Sequence, residues 1–131
     1  MFFARRSWAT GCVAVALLGG CAHSVRTEAA KLSPALEQPA KLIRLEREAL
    51  IVLPTGYKRR LKPDSKWRHV GSIAQGQVFR SVDSVLTIEG RQVHEAYLVI
   101  SGGALLGFYL PGESNYAALE APVPLFIGDT Q

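Results

Sequence analysis

A chain of 131 residues, 48% hydrophobic and 20% charged, has room for one small domain with a core, which excludes a disordered or collagen-like chain. The formal net charge of +4 hints at a polyanionic partner, but Arg5 and Arg6 contribute to it from a stretch without acids. Without residues 1–20, thirteen cations face eleven acids, so the excess is in part an address.

That address is the first element in chain order. Arg5 and Arg6 precede an apolar run from Trp8 to Leu18, and small residues follow it, the three-part layout of a secretory signal. The run is far shorter than the ~20 residues a helix needs to cross a bilayer, which argues against a retained transmembrane anchor. An ordinary cleavable signal ends in a pattern such as Ala-x-Ala; here Leu18-Gly19-Gly20-Cys21 stands in its place.

These four residues resemble the lipobox of bacterial lipoproteins: a branched aliphatic residue, two small residues and a cysteine. The resemblance covers the first 21 residues only, and Gly19 is less usual than alanine or serine at its position. It implies a diacylglycerol on the Cys21 thiol, cleavage before Cys21 and, as a rule, acylation of the new amine. Two or three fatty chains make such an attachment effectively permanent, since each buried methylene is worth about 0.8 kcal/mol. Ala22 stands where enteric-type lipoproteins retained in the inner membrane carry aspartate, so the resemblance points to the periplasmic face of the outer membrane. Cys12 falls in the discarded segment, which leaves the mature chain without a disulfide. After Cys21 the texture is similar to that of small uncharacterised proteobacterial lipoproteins, without a further family motif.

Residues 21–40 read as the acylated terminus and a flexible tether, with two prolines and few large apolar side chains. About 19 flexible residues reach roughly 25 Å on average and about 65 Å at full extension. Residues 41–131 form the single domain. In Lys41 to Leu50, the shared face of Leu42, Leu45 and Ala49 and the four-residue spacing of Arg44 and Glu48 suit one short helix, with a leading strand as the competing reading.

From Leu50 onward, short apolar runs alternate with Gly and Pro, the texture of an antiparallel sheet or open barrel of five to six strands. "LIVLP" stops at Pro54, "TGYKRRLKPDS" is a polar connection, and strands follow in "KWRHVGSI", "QVFRSV", "SVLTI", "QVHEAYLVI" and "ALLGFYL". A two-residue turn at Gly102-Gly103 sets Ser101 opposite Ala104. Simple counting then places Tyr97 opposite Phe108 and Leu98 opposite Gly107. Apolar side chains on both faces of Leu98 to Ile100 make this strand central.

Little here carries chemistry. His94 and Glu95 are neighbours, but on a strand they point to opposite faces and cannot share a proton. Glu95 reads as a structural carboxylate at a sheet edge or beside an arginine such as Arg80 or Arg68. His69 and His94 are too few for a zinc site. HExxH, Gly-x-Ser-x-Gly and P-loop patterns are absent, so an enzyme, a metal and a cofactor are not expected.

Charge distribution is the stronger clue. Residues 41–68 hold nine cations and three acids, residues 69–131 two cations and six acids. Most of the positive charge lies in "YKRRLKPDSKWR", which marks Lys58, Arg59, Arg60, Lys62, Trp67 and Arg68 as the candidate binding residues for anionic groups. The tail, with Pro122, Pro124 and the apolar Leu125 to Ile127, reads as an edge strand or a segment packed over the sheet, with an exposed docking peptide as the alternative.

The expectation is a non-enzymatic accessory or structural component of an envelope assembly, anchored by acyl chains and bound to another envelope protein. The alternative is a module that binds peptidoglycan, lipopolysaccharide or lipid through residues 58–68; the compartment disfavours nucleic acid.

Overall fold

The computed structural model describes residues 26–90 and 92–130. The signal segment, the lipobox and Cys21 lie outside the described residues.

Among the described residues thirteen strands follow in order: β1 (Glu28–Ala29), β2 (Ser33–Pro34), β3 (Leu42–Leu45), β4 (Ala49–Val52), β5 (Lys58–Leu61), β6 (Lys66–Ile73), β7 (Gly76–Ser81), β8 (Thr87–Glu89), β9 (Val93–Glu95), β10 (Tyr97–Ser101), β11 (Ala104–Leu110), β12 (Asn115–Pro124) and β13 (Ile127–Thr130). The main antiparallel sheet runs β1-β12-β11-β10-β7-β6-β3-β13, with β2 also paired to β6. β4 and β5 form a separate two-stranded ribbon, as do β8 and β9. The sheets are open, and the strand count exceeds the expected five to six.

The expected helix is absent: Leu42–Leu45 and Ala49–Val52 are strands. Burial shows why, since Ile43 and Leu45 are buried while Leu42 and Arg44 are only partly so, a period of two. β3 has partners on both sides, β6 and β13, and that pairing overrides a weak local helical pattern. Arg44 and Glu48 do not pair with each other. Arg44 meets Asp64 at 3.0 Å and Glu46 at 3.8 Å, and Glu48 meets Arg60.

The stretch read as a polar connection also contains a strand. Lys58–Leu61 pairs with β4 in the register Ile51↔Arg59 and Ala49↔Leu61. Ile51 and Leu61 are buried in the main core.

The hairpin of β10 and β11 turns at Gly102 and Gly103, both with positive φ, and Ser101 opposes Ala104 as expected. Beyond Ile100 the register shifts, so Val99 faces Gly107, Leu98 faces Phe108 and Tyr97 faces Tyr109. The expected Tyr97–Phe108 pair is therefore replaced by Tyr97–Tyr109, with ring centroids 6.2 Å apart. The bulge has a physical cause. Leu105 and Phe108 are an odd number of residues apart, and both reach the same core only if one extra residue resets the alternation. Gly107 leaves room for β12, whose Ala117 carbonyl oxygen lies where a side chain would begin. β10 is central, between β7 and β11.

Two cores separate the faces of the main sheet. The larger holds Ile43, Trp67, Phe79, Leu98 and Phe108 from the main sheet, Ile51 and Leu61 from the β4–β5 ribbon, and Ile88 from β8. The smaller holds Ile73, Val78, Val99, Tyr109 and Tyr116, with Ala30 and Leu32 packed against them. Neighbouring residues such as Val78 and Phe79, or Leu98 and Val99, split between the two, as alternation on a strand requires. Residues 28–34 thus act as a strap. They pair with β12 at Glu28↔Tyr116 and with β6 at Ser33↔Ser72, lying on the face opposite the ribbon. From Glu28 onward, the segment expected as tether is seated on the sheet.

Candidate functional site

The basic segment 58–68 does not form one surface. Its residues divide among two sheets and both faces. On the ribbon, Lys58 and Arg60 are exposed and lie opposite Val52 and Leu50. Those two apolar side chains are also exposed, at 52% and 53%, so the outward face of the ribbon joins an apolar pair to a cationic pair. Arg59 belongs to the other face, opposite the buried Ile51, and its Nε is buried without a hydrogen-bond partner. Close to the start of β4, the Arg47 guanidinium stacks 4.1 Å from the ring centroid of Phe126, itself 49% exposed.

Lys62 sits in the connection after β5, where its carbonyl accepts a hydrogen bond from Ser65 Oγ at 2.7 Å. Trp67, expected as a surface aromatic, is a core residue at 3% exposure, with its Nε1 donating to Ser65 Oγ at 3.0 Å. Its indole has the wrong place for ligand contact, because β6 turns it inward beside Ile43. Arg68, the next residue, points to the opposite face and is exposed.

Arg68 belongs to a row that sequence spacing could not reveal. Cross-strand pairing sets Leu42 beside Arg68 and Arg68 beside Arg80. The Arg80 guanidinium lies 5.9 Å from the Tyr97 ring centroid. Tyr97 in turn faces Tyr109, which faces Tyr116. Burial raises the pKa of Tyr97 above the ordinary tyrosine value; the Glu95 carboxylate adds to the rise and Arg80 opposes it. The Tyr116 pKa is raised too, by burial first and then by Glu28. The Tyr116 hydroxyl donates to the Leu106 carbonyl at 3.1 Å.

The two histidines of the domain each meet a carboxylate distant in sequence. His94 Nδ1 lies 2.9 Å from Glu113 Oε2, in the turn after β11, rather than on its neighbour Glu95. His69 Nδ1 lies 3.1 Å from Glu37 Oε1, and its ring packs 5.2 Å from that of Phe79. The pairs sit on different strands, β6 and β9, so His69 and His94 form no common site. No group of three His, Cys, Asp or Glu side chains able to hold a metal occurs among the described residues.

One cavity of about 290 Å³ opens beside the Gly102-Gly103 turn, lined by Ile43, Phe79, Ile100 and Ile127 together with Lys41, Gln77 and Ser101. No helix among the described residues is long and apolar enough to cross a membrane.

The arrangement therefore provides two cationic faces on opposite sides of the sheet, one mixed with exposed apolar side chains and one beside a tyrosine. No family model, curated protein or solved structure matches the chain.

Proposed function

We propose that this chain is a non-enzymatic lipoprotein, held by acylated Cys21 at the periplasmic face of the outer membrane, that serves as an accessory or structural component by docking onto another envelope protein. The observation that carries the reading is the outward face of the β4–β5 ribbon. Leu50 and Val52 stand exposed side by side, across from Arg60 and Lys58. Adjacent exposed apolar residues cost solubility unless a partner covers them, and an apolar centre with arginine at its margin is the usual composition of a protein interface.

The test is crosslinking in intact cells followed by co-purification from membranes. A photoreactive side chain at position 50 should capture one stoichiometric envelope protein, and Leu50→Asp with Val52→Asp should abolish capture while the domain stays folded. Capture that survives both substitutions removes this face from the docking proposal.

Lys58 and Arg60 favour a second reading at the same face, an anionic envelope polymer such as peptidoglycan or lipopolysaccharide. Under that reading, Lys58→Gln with Arg60→Gln weakens sedimentation with the isolated polymer at low salt. Leu50→Asp and Val52→Asp would then matter little.

A further inference from the structure

The face opposite the ribbon holds an arrangement that the docking surface does not use. Arg68 and Arg80 lie directly across from each other on β6 and β7, and both are exposed. Like charges in that relation repel and weaken a sheet. Arg44, by contrast, has Asp64 and Glu46, and Arg60 has Glu48. Among the described residues, no carboxylate forms an ion pair with Arg68 or Arg80. Lys66, two residues before Arg68 and on the same face of β6, is exposed as well.

Two guanidinium forks carried at paired positions of neighbouring strands can select a ligand by shape. A carboxylate is filled by one fork, because its two oxygens match two parallel N–H donors. A phosphate monoester has three terminal oxygens and up to two charges, enough for both forks together with a flanking ammonium. The row is therefore suited to phosphate more than to the carboxylates of an acidic peptide.

The strap indicates where that phosphate comes from. Ala30 and Leu32 pack on this same face, against Val78, Val99, Tyr109 and Tyr116. The ladder from Glu28 to β12 and from Ser33 to β6 anchors the strap at both ends. Cys21 is only seven residues before Glu28, a span of at most about 25 Å. An acylated Cys21 would hold this face close to the bilayer, not leave the domain on the longer leash expected from residues 21–40. The ribbon, on the other side of the sheet, would face the periplasm.

We propose that Arg68 and Arg80, flanked by Lys66, form a site for the phosphomonoester head group of a membrane lipid, and that binding there orients the domain on the membrane. The orienting role rests on the acylation of Cys21; the site itself does not. Glu95 is an opposing charge: its carboxylate acts on Tyr97, next to Arg80, and it should weaken an anion bound there. Asp64 and Glu46 are others, but they are paired with Arg44, across from Lys66.

The experiment uses the mature chain from residue 21 with Cys21→Ser, so that acyl chains cannot carry the binding. It is sedimented with phosphatidylcholine vesicles containing phosphatidic acid, with vesicles containing phosphatidylglycerol at matched surface charge, and with phosphatidylcholine alone. Binding should be strongest to phosphatidic acid and absent from phosphatidylcholine. Arg68→Gln with Arg80→Gln should weaken it by about 30-fold, from about fivefold per cation at an anionic surface. Glu95→Gln should strengthen it severalfold, and Lys58→Gln with Arg60→Gln should leave it unchanged. Removing a repelling pair relieves the sheet, so the arginine variant should melt no lower than the parent, which separates lost binding from lost fold.

Equal binding by the arginine variant, or an equal loss in the ribbon variant, overturns the site. Binding to phosphatidylglycerol as strong as to phosphatidic acid overturns the phosphomonoester assignment. Inorganic phosphate shifting the arginine Nε–H resonances without any vesicle binding overturns the lipid as its source. Mass spectrometry of the protein from membranes tests acylation separately: an unmodified Cys21 would end the orienting role and the lipoprotein reading while leaving the vesicle result standing.

Discussion

Replacing Gly71 with valine should release the strap. Gly71 pairs with Pro34, and a Cβ at this position would run into the Ser33 carbonyl oxygen while standing 2.9 Å from Leu32 Cδ1 and 3.1 Å from the Ser33 carbonyl carbon. The Leu32 side chain can rotate away; the Ser33 backbone cannot, so the strap must lift. Lifting it gives up the Ser33↔Ser72 ladder, the hydrogen bond from Ala35 N–H to the Val70 carbonyl at 3.0 Å, and the packing of Leu32 on the smaller core. Two backbone hydrogen bonds at about 1 kcal/mol net each, plus a similar amount for one partly buried apolar contact, put the loss at about 2–3 kcal/mol. Native-state hydrogen exchange reads this directly. The Ala35 amide should exchange like a free chain, roughly 100-fold faster than in the parent, while the Leu98 amide at the sheet centre stays protected at a correspondingly lowered global stability. If Ala35 keeps its protection relative to Leu98, the strap is not held by close backbone approach at Gly71, and the short leash inferred from it fails as well.

Other consequences are more local. Phe108→Ala empties a site with 0% exposure at the centre of the larger core and should cost about 3–5 kcal/mol, seen as a fall in melting temperature of at least about 10 °C. Tyr97 and Tyr116 hold their protons more tightly when folded than unfolded, so their ionisation favours unfolding: stability should be level below about pH 10 and fall as pH rises past it, with phenolate absorbance appearing alongside the loss. Tyr97→Phe should make that decline shallower, and a profile identical to the parent would exclude Tyr97 as a cause. Asp64→Asn removes the partner of Arg44 at 3.0 Å, but Asp64 is 78% exposed and screened by solvent, so chemical denaturation should show a loss of less than about 1 kcal/mol that vanishes in high salt.

The sequence alone determined those features that depend on neighbours along the chain. Alternating apolar residues and punctuation by Gly and Pro marked strands from Lys66 to Leu110, although the one strand expected in "QVHEAYLVI" is two, β9 and β10, in different sheets; two glycines in succession specified the turn at Gly102 and Gly103. The mixed apolar character of Leu98 to Ile100 announced a central strand. Where local and tertiary preferences competed, local spacing misled. Arg44 and Glu48 looked like a helical pair, yet the sheet recruited β3 from both sides and gave each charge another partner. The hairpin register needed a bulge that only the demand of Leu105 and Phe108 for the same core explains.

Tertiary structure by itself decided which face each cation serves. A continuous basic stretch was divided by alternation and register, so that Lys58 and Arg60 point out from the ribbon, Trp67 enters the core and Arg68 meets Arg80 on another strand. Arg68 and Arg80 are twelve residues apart, and only the pairing of β6 with β7 puts them side by side. Linear order sets which way a side chain points relative to its neighbours in a strand. The energy of closing the core sets which strands lie next to each other, and with it the chemistry of the surfaces.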